Sequence, residues 1–335
     1  MDFSIGDLHP NTPHLFADLA ELVLSIGYNG RIKLHKNDLL SILESGGISP
    51  DELDQEDDAE EYADSTGLAT AEKNSRHERQ LEDVLTQLTY RSSALNKYYP
   101  FTINADELVL LDKALLTDKQ RVYRFLLACS RLRSFDQKSG IRQTWAKAFT
   151  SLSKIAMEGL LPQHATTRVF DANSDDRKNY YSTDLRDALK TLGKDLRVLT
   201  INEEECMKAG PSGDAGLDLV AVVDFDDGAS TSYALLGQCG AQETGWPKKT
   251  LEAHSMRYRN FFQMQFDYPG VMFTPICYRT ADGEWTDNQS ANATLLLDRE
   301  RILKLIDLQD RWQEITASQW FLDFEIKFSC VKTPD

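Results

Sequence analysis

Two apolar runs, Leu217-Asp-Leu-Val-Ala-Val-Val-Asp-Phe225 and Tyr233-Ala-Leu-Leu-Gly-Gln-Cys239, stand on either side of Asp226-Asp227-Gly228. Short runs of this kind, parted by turn residues, predict an antiparallel hairpin. This feature constrains the chain most tightly, because a hairpin dictates which residues oppose one another. Asp218, near the start of the first strand, is set roughly opposite Gln238, near the end of the second. Asp214, in the glycine-rich turn Gly210-Pro-Ser-Gly-Asp-Ala-Gly216, can approach the same edge.

The surrounding patterns extend the hairpin into a sheet with helices. A helix is predicted over 181–192, capped by Ser182 or Thr183 and stopped by Gly193. Strands are predicted over 196–201, 270–278 and 294–297, and helices over 248–266 and from the cap Asp298 to 310. The order helix, strand, hairpin, helix, strand describes a small mixed sheet flanked by helices. Upstream, helical spacing predicts helices over 14–28, 37–45, 77–92, 105–116, 118–133 and 142–161, the last ended by Pro162. The fold class expected is α/β. A mostly helical accessory region, 1–140, holds an acidic linker near 44–75 and precedes a second domain over 141–335.

Composition excludes several classes. There is no long apolar run, so no membrane span is expected. The first residues do not read as a secretory signal, and a cytoplasmic protein is expected. The five cysteines stand far apart and form no C-x-x-C pair, so no zinc site or disulfide framework is predicted. No G-x-S-x-G or H-E-x-x-H occurs, and the glycine-rich turn lacks the lysine of a P-loop. His254 is a candidate general base or a packing histidine. Asp224, Asp226 and Asp227 read as turn acids.

The net charge of −16 argues against a simple nucleic-acid binder, but it is unevenly spread. Ten acidic and no basic residues lie between Glu44 and Asp64. Eight Lys or Arg against one acid, Asp136, lie between Lys119 and Lys147. That basic stretch is either a phosphate-contacting surface or a solvated helix face. Arg142 and Lys147 from it, with Lys249, Arg257 and Arg259 further on, are the candidate nucleic-acid contacts.

Phosphodiester hydrolysis with a divalent cation needs converging carboxylates and a nearby cation. At the hairpin the sequence resembles the PD-(D/E)xK, restriction-endonuclease-like (Mrr-like) nuclease superfamily found in bacterial anti-phage defence. Gly213-Asp214-Ala215-Gly216-Leu217-Asp218-Leu219-Val220-Ala221 resembles the family's "GD-x-G-(I/L)-D-hydrophobic-V-A" segment. Leu235-Leu236-Gly237-Gln238-Cys239 resembles its "hydrophobic-G-Q-C" strand. The resemblance covers about 195–280 and extends back to the helix Phe149–Glu158.

The resemblance implies a restriction-endonuclease-like core and a DNA endonuclease using Mg²⁺ or Mn²⁺. Asp218, Asp214 and the Cys239 carbonyl would bind the metal, and Gln238 would replace the usual acid. It further implies DNA and an ATPase- or helicase-like subunit as partners; RNA as substrate and homo-oligomerisation stay open. Two positions depart from the family. Gly240 stands where a lysine is usual, and Thr150 where a glutamate is usual. Lys248 or Lys249 would then supply the cation, with Lys248 steadying the attacking water, and Glu158 would supply the acid. The competing reading is a catalytically degenerate subunit that binds DNA or scaffolds a defence complex.

Overall fold

A computed structural model describes residues 2–45 and 67–332. Most of the acidic segment therefore lies outside the described residues. The protein is mixed α/β and divides into two compact units. The first comprises 1–145, 276–286 and 313–335; the second comprises 146–275 and 287–312. No described helix is long and apolar enough to cross a membrane.

The first unit contains α1 (Pro13–Ile26), α2 (Lys36–Ser45), α3 (Gly67–Leu95) and α4 (Asp118–Ser130). Pro13 suits the first turn of α1, where its missing N–H costs nothing. Gly27 ends the helix at φ 73°, and its N–H returns to Val23 and Leu24. Nearly all of α1 is buried, including Asp18 and Glu21. Arg91 of α3 makes that burial tolerable. It donates to Asp18 Oδ1 at 2.6 Å and to the His14 carbonyl at 2.6 Å, and lies 3.0 Å from Glu21 Oε1. The Tyr99 and Tyr123 hydroxyls complete the coordination of Glu21. Buried charges persist only when so paired and hydrogen-bonded.

The mostly helical N-terminal region also holds a small sheet. β1 (Lys33–His35), β2 (Phe101–Asn104) and β3 (Glu107–Leu110) form a sheet in the order β1-β3-β2. Where a helix over 105–116 was predicted, Ala105-Asp106 is a two-residue turn between Asn104 and Glu107. Leu108 and Leu110 alternate inward from β3, a period of two that outweighs the apolar count of the segment.

The second unit holds a five-stranded sheet built from β4 (Thr166–Val169), β6 (Leu219–Val223), β7 (Tyr233–Cys239), β9 (Gly270–Phe273) and β10 (Leu295–Leu297). The strands lie side by side in chain order. The first three form an antiparallel meander, and β9 and β10 then run parallel to β7. The predicted hairpin is β6–β7. Val220, Val222, Ala234 and Leu236 on one face share a core with Leu185, Ala188, Leu189 and Leu192 of α6 (Leu185–Asp195). On the other face the Cys239 thiol meets Thr150 and Ser153 of α5 (Ile141–Glu158).

Three local expectations change. The cap of α6 is Asp184, which accepts the Arg186 N–H. The strand predicted at 196–201 shrinks to β5 (Thr200–Ile201), paired with β8 (Phe262–Gln263). The helix predicted over 248–266 is absent. Two 3₁₀ turns, Trp246–Lys249 and Ser255–Tyr258, run into β8 instead. Ala253, Tyr258 and Phe262 each dock into the core with α6, and β8 gives its backbone groups to β5, so tertiary pairing overrides helical periodicity. Gly193 permits that closure, since an added Cβ would lie 2.8–2.9 Å from Ile201 and Phe262. Beyond the sheet, α7 (Glu203–Lys208) follows β5, and α8 (Arg299–Gln309) starts at the predicted cap Asp298.

Replacing Arg91 with Ala would strand two buried carboxylates. The expected outcome is a loss of about 3–5 kcal/mol from the first unit. Chemical denaturation followed by circular dichroism measures it; a change below about 1 kcal/mol would show that Asp18 and Glu21 do not depend on this arginine.

Candidate active site

The hairpin's open end is distorted. Leu219 is in register with Gly237, yet the Asp218 N–H also donates to the Gly237 carbonyl, at 2.9 Å. Two residues thus oppose one, which is a β-bulge, and bulges re-aim side chains. The Asp218 carboxylate takes over where the backbone ladder stops: Oδ2 accepts the Cys239 N–H at 2.8 Å.

Asp171 and Asp214 join Asp218. One ligand oxygen from each lies within 4.8 Å of the others. Asp171 follows the end of β4, and the neighbouring Phe170 N–H donates to the Asp218 carbonyl at 2.7 Å. Asp214 sits in the glycine-rich turn. Each of the three carboxylates accepts one backbone N–H: Asp171 from Asn173, Asp214 from Gly216, and Asp218 from Cys239. The second oxygen of each has no hydrogen bond among the described residues, so all three retain lone pairs for a ligand.

The turn that carries Asp214 is strained and fastened. Gly213, Ala215 and Gly216 have φ of 96°, 56° and 80°. Ala215 bears a cost that glycine would not. The Tyr258 hydroxyl holds its carbonyl at 3.2 Å. At Gly216 a side chain would press on Glu252, with Cβ and carbonyl contacts at 3.0 and 3.1 Å.

Arg177 clamps both loops from behind. Fully buried, its Nη1 donates to the carbonyls of Phe170 at 2.9 Å and Gly213 at 3.2 Å, the residues just before Asp171 and Asp214. Its guanidinium stacks on the Phe170 ring, and Nε donates to Ser182. Burial pulls the guanidinium below its ordinary range, while Asp214 and Asp171 oppose that fall.

Electrostatics at the cluster follow from crowding. Burial is the main cause that pushes Asp218 up to about 7, and the charges of Asp214 and Asp171 add to it. The Cys239 N–H and, more weakly, Lys249 pull the other way. Burial also pushes the Cys239 thiol well up, with the Asp218 charge adding to it and the Ser153 and Thr150 hydroxyls opposing. Gln238 is only 7% exposed, and its Oε1 has no hydrogen-bond partner.

The residues named from sequence are thus sorted. Asp218 and Asp214 converge, and Gln238 and Cys239 stand on the adjoining strand, Cys239 through its N–H. Asp171 was missed, because it lies outside both motif-like segments; the only signal was an acid just past an extended segment. Lys249, not Lys248, is the lysine whose charge reaches Asp218; Lys248 is exposed. Glu158 is held in an ion pair with Arg311 and is not in the cluster. The Thr150 hydroxyl donates to the Ala146 carbonyl at 3.3 Å. At Gly240 an added Cβ would collide with the Met272 methyl and lie 2.7 Å from Trp246 Cβ, so this position has no room for a lysine.

The basic candidates fare differently. Arg142 is spent on the Phe135 and Arg133 carbonyls, and Arg259 on Asp267. In the same basic stretch Arg131 reaches back to the carbonyls of Ile5 and Asp7. These arginines fasten backbone or pair with acid. Lys147 and Arg257 are exposed. His254 caps a 3₁₀ turn by accepting the Met256 N–H. Asp224 and Asp227 accept turn amides, and Asp224 also pairs with Arg197.

No family model, curated protein or solved structure matches the chain.

The raised Asp218 pKa fixes a pH dependence for the metal-free protein. Its folded-state value of about 7 exceeds the ordinary 3.8, so the folded state holds the proton more tightly. Stability from this group is greatest below about pH 4 and declines as pH rises through about 7. Asp218→Asn keeps an acceptor for Cys239 and removes the charge. In EDTA it is expected to raise the thermal midpoint near pH 8 and to flatten the decline between about pH 4 and 7. A thermal midpoint that falls in the variant would contradict the assignment.

Proposed function

We propose that the protein is a metal-dependent DNA endonuclease of the PD-(D/E)xK type, serving as an effector in a bacterial defence or restriction system. The observation that carries the reading is the convergence of Asp171, Asp214 and Asp218, each with one oxygen left unbonded, on the edge where β6 and β7 part. The donor set suits a hard divalent cation, Mg²⁺ or Mn²⁺, which takes oxygen ligands and favours carboxylates. The orphaned Oε1 of Gln238, one residue from the amide that holds Asp218, is a further oxygen of the right kind. Such a cation would activate water and neutralise charge on a phosphoryl group.

The chain's own residues do the rest. The Cys239 N–H holds Asp218, and Arg177 holds the loops of Asp171 and Asp214, so the carboxylates are fixed before any ligand arrives. Lys249 supplies positive charge beside a bound phosphate. Lys147 and Arg257 are the exposed cations that would meet the DNA backbone. A cytoplasmic setting and an ATPase- or helicase-like partner accompany this reading through the resemblance.

One observation favours a second reading, a degenerate nuclease fold kept for DNA binding or scaffolding. The strand position that usually bears a lysine has no room for a side chain, the Thr150 hydroxyl is bonded within its own helix, and Glu158 is paired with Arg311.

Full-length protein incubated with plasmid and Mg²⁺ or Mn²⁺ separates the two. The endonuclease reading expects relaxed or linear DNA, abolished by EDTA. Asp171→Asn and Asp218→Ala should each slow cleavage by more than about 100-fold, beyond the usual cost of losing an outer-shell partner. Wild type and both variants nicking DNA alike would refute it. Calorimetric Mn²⁺ binding that needs Asp171 but brings no cleavage would establish the degenerate form.

A further inference from the structure

In the first unit, a cavity of about 430 Å³ opens between the end of α1, α4 and the C-terminal helix α10 (Gln319–Ser329); a short helix α9 (Trp312–Ala317) precedes α10. Its walls include Lys113, Arg121, Arg124 and Glu325, with Ile326 and Phe328 on the apolar side. We propose that this cavity binds the phosphate group of a small phosphomonoester.

Glu325 is occupied by Arg121, whose Nε donates to Oε1 at 2.8 Å and whose Nη2 donates to Oε2. Asp118 Oδ1 accepts from the same guanidinium at 2.7 Å. Arg121 therefore consumes both acids within reach. Arg124 is left with one acceptor, the Ser25 carbonyl at 3.0 Å. Its Nε is buried with no acceptor at all. Lys113 has no hydrogen bond or ion pair among the described residues.

Their electrostatics agree with an unfilled site. Burial pulls Arg124 down to about 10. Burial, and then repulsion from Arg124, pulls Lys113 below its ordinary range. An entering anion would relieve that repulsion and offer acceptors to the Arg124 guanidinium, which has one acceptor in the protein. Arg124 also stacks on Phe328, 5.1 Å from the ring centroid, which fixes the plane of its guanidinium. A planar guanidinium fork beside an ammonium suits a doubly charged tetrahedral oxyanion.

The apolar wall gives the ligand its second part. Ile326 is 65% exposed at the cavity, and Phe328 lies beneath Arg124. Free phosphate would leave that wall wet, whereas an ester with a planar or apolar group would cover it. The site lies wholly within the first unit and does not depend on the cluster at Asp218.

Titration of the full-length protein in EDTA at constant ionic strength tests this, with inorganic phosphate and a nucleoside monophosphate as probes and acetate as control. Saturable binding of both phosphates is expected, the monophosphate tighter and acetate absent. Lys113→Ala should weaken both by about ten-fold and Lys113→Glu by more, with the thermal midpoint of the free protein unchanged. In wild type the Arg124 Nε–H resonance should shift on adding phosphate. Equal affinity for the two phosphates would identify the free ion as the ligand and overturn the ester. No saturable binding, a Lys113→Ala variant that binds like wild type, or an Arg124 resonance that does not move would overturn the site itself.

Discussion

Three carboxylates held within 4.8 Å of one another repel, and the edge of the second unit is organised around that repulsion. Each aspartate is fixed by a backbone N–H rather than by an acidic or basic neighbour. Arg177 ties down the two loops by their carbonyls and contributes the compensating charge from behind. The bulge at Asp218, the strained Ala215 and the tight fit at Gly216 are local costs that accompany the arrangement. Backbone strain of this kind is found where the surroundings over-determine a conformation, and functional sites are such places.

The first unit solves a different electrostatic problem. There the acids of α1 are paired with Arg91, and Glu21 also accepts from two tyrosine hydroxyls. Several cations of the 119–147 stretch are likewise consumed as clamps on carbonyls. Pairing fails at two places that matter for ligands: the three aspartates in one unit, and Lys113 with Arg124 in the other. A charge run read in one dimension does not reveal which of its members are already spent.

Much of the fold was legible. The hairpin 217–239 was predicted with its turn and returning strand, and the order helix, strand, hairpin, strand survives with β9 parallel to β7. What failed has two causes. The segment 248–266 has helical spacing, but its apolar residues dock individually into the core with α6 and its backbone pairs with β5. The segment 105–116 forms part of a hairpin because Leu108 and Leu110 alternate inward, a period of two that outweighs its apolar count. Of the site, Asp218 and Asp214 were legible from their motif-like segment. Asp171 was not, because nothing local distinguishes it from other loop acids.

The sequence by itself determined the hairpin, the placing of Asp218 at its mouth, the glycine-rich turn with Asp214, and the α/β class, since these rest on contacts between residues near in the chain. Tertiary structure decided the third carboxylate, the arginine that clamps it, and which lysine faces the site. Those depend on pairing β4 with β6 and folding the 240–269 crossover over the sheet, where residues far apart in sequence meet. Close packing also decided that Gly240 cannot give way to a lysine, because Met272 and Trp246 already fill the space a side chain would need.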